Sequence, residues 1–119
     1  MLPELKSLDE IAEAIETSKQ EGKLLLLKFG AQWCKPCKMI APMAQSLVAS
    51  NSKVLVGYEI DVDVVVESLV HFNVHKLPTF ILIHQGNVSK VWTGADNLTM
   101  ENNVYDAIEE TQGKQEVSK

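Results

Sequence analysis

Cys34 and Cys37 are the only cysteines in the chain, and two residues separate them. A pair this close is a poor staple for a fold, so its sulfurs are better suited to chemistry than to cross-linking. They follow a short apolar run, Leu24 to Phe29. They also open a stretch from Pro36 to about Ser50 that carries Ile40, Ala44, Leu47 and Val48 on one helical side. A thiol at a helix start meets the positive end of the helix and its unpaired amides, which stabilise a thiolate. Lys35 and Lys38 push the same way. Cys34 is then the reachable attacking thiolate, and Cys37, turned inward by the helix, is the resolving thiol that breaks a mixed disulfide. Pro36 stiffens the loop and suits an early helical position, where its missing donor costs little. Two other readings compete. One is a pair of buried structural thiols. The other is zinc, since His71 and His75 are four apart and complete a set of four ligands, but the gap from Cys37 to His71 is far longer than in a zinc finger.

The elements that must hold the pair alternate. Ser7 and Glu10 form a capping-box pattern ahead of Leu8, Ile11, Ala12 and Ile15, a helix that Gly22 ends. Leu24–Phe29 reads as a strand buried on both faces, and the helix from Pro36 carries Pro42 as an internal kink. A strand over Val54–Ile60 and a short helix over Val64–Phe72 follow. Two further strands, Thr79–His84 and Val88–Thr93, flank Gln85, Gly86 and Asn87, a tight hairpin signal, and a last helix runs from about Thr99 to Glu110. This order predicts an α/β layer structure whose first half is a parallel crossover unit.

A chain of 119 residues suits one domain, expected over 1–111, with a polar tail over 112–119 that frays. Eleven basic residues, all Lys, stand against 16 acidic ones for a net charge of -5, which argues against a nucleic-acid binder. Residues Met1 to Lys6 lack the pattern of a secretory signal, and runs such as Leu24 to Leu27 are too short to span a bilayer. A monomer in a reducing cytoplasm, with no membrane partner, is therefore expected. In that setting the sequons at Asn87 and Asn97 are chance matches.

Trp33, Cys34, Lys35, Pro36 and Cys37, followed by Lys38 to Pro42, resemble the active-site segment of the thioredoxin family. Leu77, Pro78 and Thr79 stand where that family carries its cis proline. The segment Glu59 to Asp63 resembles the end of its central strand, and Gly86 and Gly94 match its hairpin and late glycine. The resemblance covers roughly residues 5 to 110. It implies a thioredoxin fold, a mixed central sheet flanked by helices on both faces, and a protein-disulfide reductase working by dithiol exchange. No bound cofactor is implied, since the Cys34/Cys37 disulfide is itself the redox centre and is re-reduced by an NADPH-dependent thioredoxin reductase. By the same resemblance Pro78 faces the cysteines, and the backbone at Leu77 and Thr79 holds an extended substrate. Trp33 forms an apolar shelf, and Gly94 and Ala95 leave room for the bound chain. The rival expectation is a binding or scaffolding module on the same fold with weak redox turnover.

The departures are specific. The family's buried acid belongs five residues before Trp33, where this chain has Lys28. A buried Lys is costly unless paired, and the position where some thioredoxins place a partnering Lys holds Glu59, so a reversed Lys28–Glu59 ion pair is expected beneath the cysteines. The other outcome is a Lys28 that snorkels to the surface. A Lys28 charge near Cys37, helped by Lys35, would favour the reduced dithiol and make the couple more oxidising. Gly30 stands where a larger residue is usual, opening that side. Lys76, with Lys35 and Lys38, forms a basic rim able to steer acidic targets.

Overall fold

In the computed structural model, which describes the backbone of residues 1–117 and the side chains of residues 1–111, the strand before the cysteines is the centre of the layout. This strand, β1 (Leu24–Gly30), is buried along its whole length. It pairs in parallel with β2 (Leu55–Asp61) and antiparallel with β3 (Thr79–His84), which pairs antiparallel with β4 (Asn87–Thr93). The order β2-β1-β3-β4 makes a mixed four-stranded sheet. Parallel neighbours need a long crossover, and α2 (Lys35–Ser50) supplies it.

Alternation along the strands separates two cores. Leu24 and Leu26 of β1 join Leu55, Phe80 and Leu82 on the face covered by α2 and α4 (Asn97–Val117), which contribute Ile40, Ala44, Met100 and Val104. Leu25, Leu27 and Phe29 face the other way with Ile60, Ile81 and Ile83, against Ile11 and Ala14 of α1 (Leu8–Glu21). Each fully buried side chain of this size contributes about 1.5–3 kcal/mol, so helices on both faces follow from a central strand apolar on both sides.

The helix and hairpin signals resolve in detail. Ser7 caps α1 by accepting the Glu10 N–H at 3.1 Å, but the Glu10 carboxylate accepts from the Lys6 N–H at 2.8 Å, one residue earlier than a capping box requires. Gly22 ends α1 in the left-handed region. Pro42 lies inside α2 without dividing it. The hairpin closes with Gln85 and Gly86 both at positive φ.

The helix expected over Val64–Phe72 is shorter. Only α3 (Ser68–His71) is helical. The Asp61 carbonyl accepts from both Val64 and Val65, and the Asp61 carboxylate takes the Asp63 N–H, so turns occupy this segment. Four valines among residues 62–66 are stiff at χ1 and oppose helix formation there. The last helix runs past its expected end at Glu110 to Val117, into the tail expected over 112–119, of which residues 118–119 and all side chains lie outside the described residues. Among the described residues no helix is long and apolar enough to cross a membrane.

Asp96 precedes α4 and accepts from both the hydroxyl and the backbone N–H of Thr99. The Thr99 hydroxyl first, and the backbone N–H second, hold this carboxyl below its ordinary 3.8. A depressed carboxyl stabilises the fold above its unfolded pKa and loses that contribution as pH falls through its folded value. Asp96→Asn is therefore expected to flatten the acid limb of stability below about pH 4, read by thermal melts across pH.

Candidate active site

The turn after β1 delivers the cysteines. The Cys34 N–H donates to the Ala31 carbonyl at 3.1 Å, and Cys34 then takes the N-cap of α2 in extended conformation. Its Sγ accepts the backbone N–H of Cys37 at 3.2 Å. Lys35 and Pro36 form the first turn. Cys34 and Cys37 are joined as a disulfide, their Cα atoms 5.3 Å apart. On reduction, the same N–H and the helix end aim at the Cys34 sulfur, an arrangement that favours its thiolate over its thiol.

Exposure does not separate the two sulfurs in the way expected of a reachable first cysteine. In the oxidised pair Cys34 is 4% exposed and Cys37 3%. What separates them is the space each borders. Cys34 lines an outer groove with Trp33, Lys35, Pro36, Asp63, Lys76 and Leu77. Cys37 lines a different cavity, of about 540 Å³, together with Lys28, Gly30, Lys38 and Glu59. The expected basic rim is therefore split, since Lys35 and Lys76 belong to the groove and Lys38 to the cavity.

In the groove, Trp33 is 70% exposed yet fixed, its Nε1 donating to Asp63 Oδ2 at 2.8 Å. Asp63 is itself placed by its N–H donating to Asp61 Oδ1 at 2.9 Å. Sequence reading passed over this role of Asp63; the Asp61-x-Asp63 spacing, a local side-chain turn, was the available signal. The Leu77–Pro78 peptide is cis. Pro78 accepts the Gly94 N–H at 3.0 Å, and the Thr79 hydroxyl donates to the Lys76 carbonyl. Gly94 has φ +95, and an added Cβ would meet nothing within 4 Å. Backbone conformation, rather than lack of space, calls for glycine there.

Beneath the cysteines, the parallel register sets Lys28 directly opposite Glu59, on the face that Leu24 and Leu26 share. Lys28 Nζ lies 3.0 Å from Glu59 Oε1, with the two side chains 3% and 17% exposed. The lysine does not snorkel. Its partner is the Glu59 carboxylate. Gly30, next on the same face, has the space where its Cβ would stand bordered by Cys37 Sγ at 3.1 Å and Glu59 Oε1 at 3.9 Å. The zinc set does not assemble: His71 packs edge-on against Phe72, and His75 Nε2 lies 2.7 Å from Asn73 Oδ1. Among the described residues no three His, Cys, Asp or Glu side chains converge on a metal position.

These features match known proteins. The family profile described as Thioredoxin matches residues 7–107. Thioredoxin of Gallus gallus is 35% identical over 105 residues, covering 87% of this chain and 99% of its own. Thioredoxin-T of Drosophila melanogaster is 38% identical over 77 residues, 65% of this chain, and the match spans about half (49%) of that relative's length. The X-ray structure of Fasciola hepatica thioredoxin superposes with a TM-score of 0.82 at 28% identity, covering 88% of this chain and 98% of that one. The mixed sheet, the CxxC pair capping α2 and these relatives agree, and the chain belongs to the thioredoxin family as a thiol–disulfide oxidoreductase.

Proposed function

We propose that the chain works as a reductase of protein disulfides, with Cys34 attacking and Cys37 resolving. The observation that carries this reading is the N-cap geometry, in which the Cys34 sulfur accepts the Cys37 N–H at 3.2 Å while bordering the groove of Trp33 and Leu77. The Cys34 thiolate attacks one sulfur of a substrate disulfide and expels the other as a thiolate. Cys37 then gives up its proton and attacks Cys34, releasing the second substrate thiolate and leaving the Cys34–Cys37 disulfide. An extended substrate segment lies along Leu77–Thr79 by strand-like hydrogen bonds, with Trp33 as its apolar shelf and Gly94 beside it.

The oxidised pair is re-reduced by an NADPH-dependent thioredoxin reductase, and no bound cofactor takes part. The setting is a reducing cytoplasm, where the chain acts as a monomer in electron transport to protein substrates. The test is insulin reduction coupled to NADPH and a thioredoxin reductase. Steady NADPH oxidation that Cys34→Ser abolishes is the expected result. A chain that is not turned over, yet still binds peptide, would instead be a scaffolding module.

A further inference from the structure

We propose that Glu59 is the proton acceptor for Cys37, across the space that Gly30 leaves open. The inference rests on the resolving role given to Cys37 above. A free thiol titrates near pH 8.5, so Cys37 needs a base to become a nucleophile at neutral pH. The family's acid is absent from β1, where Lys28 stands and can only donate. The cavity bordering Cys37 holds three carboxylates, and they are not equivalent. Asp61 is engaged with the Asp63 N–H, and Glu4 is exposed. Glu59 is pinned at Oε1 by Lys28, and that same oxygen and Cys37 Sγ both lie within 4 Å of the point a Gly30 Cβ would occupy. Its other oxygen makes no hydrogen bond among the described residues. The cavity is roomy enough for water to bridge the two groups.

The acid–base group of this site has thus moved one strand over, from β1 to β2, and Lys28 is its positioning residue. In the resolving step the Cys37 S–H proton passes to the Glu59 carboxylate. The sulfur's electron pair forms the bond to Cys34, the bond from Cys34 to the substrate breaks, and the substrate sulfur leaves as a thiolate. When the disulfide is reduced again, the proton returns from Glu59 to Cys37. The charged and titratable residues that line the cavity with Glu59 are Lys28 from β1, Asp61 from β2, Cys37 and Lys38 from α2, and Glu4 from the N-terminal segment.

The test is single-turnover reduction of a disulfide-linked peptide by the pre-reduced full chain, with acid quenching to count the mixed disulfide. Glu59→Gln is expected to leave the attack by Cys34 unchanged and to slow resolution about 100-fold at pH 7, the low end of what a positioned proton acceptor contributes. The deficit should shrink as pH rises and Cys37 ionises without help, a signature that a purely structural defect would not show. Lys28→Met/Glu59→Gln removes both charges, leaves no unpaired ammonium, and should show the same deficit. A double variant that resolves at the wild-type rate with the wild-type pH profile overturns the proposal while leaving the resolving role intact. A wild-type chain that accumulates mixed disulfide without resolving it overturns both.

Discussion

Glu59→Ala is expected to destabilise the fold by about 3 kcal/mol, because it leaves the Lys28 ammonium buried and unpaired. Lys28 has a side chain only 3% exposed, and its carboxylate partner lies at 3.0 Å. The strand fixes the direction of this side chain, since Leu26 before it is wholly buried on the same face. Urea unfolding should show the midpoint falling by about 2 M for a domain of this size. The companion variant Lys28→Met/Glu59→Leu should recover most of the loss, since an apolar pair of similar volume needs no compensation for desolvation. Equal stability of Glu59→Ala and the native chain would mean that the pair carries no weight in the fold.

Cys37→Ser should convert the chain from a turnover catalyst into a trap. Attack by Cys34 depends on the helix end and the N–H of residue 37, which a serine backbone keeps. Resolution depends on the sulfur that the variant lacks. Mixed disulfides with protein targets should therefore accumulate and survive non-reducing electrophoresis. Cys34→Ser should yield far fewer, because the remaining thiol borders the inner cavity and not the groove. Equal trapping by the two variants would reverse the assigned order of attack.

Features carried by neighbours in the chain were legible without coordinates. The apolar run at Leu24, the Ser7 cap, the Gly86 hairpin and the thiols opening α2 each depend on a few adjacent residues. The Lys28–Glu59 pair was legible only through family offsets, since 31 positions separate its members and just the register of β1 on β2 brings them face to face. Trp33 and Asp63 meet across 30 positions, and the Asp61-x-Asp63 turn announces the placing of Asp63 but not its partner. The valines of 62–66 misled in another way: their apolar spacing suited a helix, while their branching and the Asp61 turn opposed one. The cavity behind Cys37 had only one sequence signature, the Gly30 departure, because the rest of its wall is drawn from three elements and the N-terminal segment.

The stretch from Pro3 to Leu5 runs beside β2 as a single bridge. The Leu5 N–H donates to the Glu59 carbonyl at 2.9 Å, and the Glu59 N–H donates to the Pro3 carbonyl at 2.8 Å. The backbone of Glu59 is thus clamped on one side by this bridge and on the other by β1, while its side chain reaches under the cysteines. Any change that moves residues 3–5 therefore has a two-bond mechanical route to the redox centre. Residues 3–5 thus latch the backbone of residue 59, whose carboxylate pairs with Lys28.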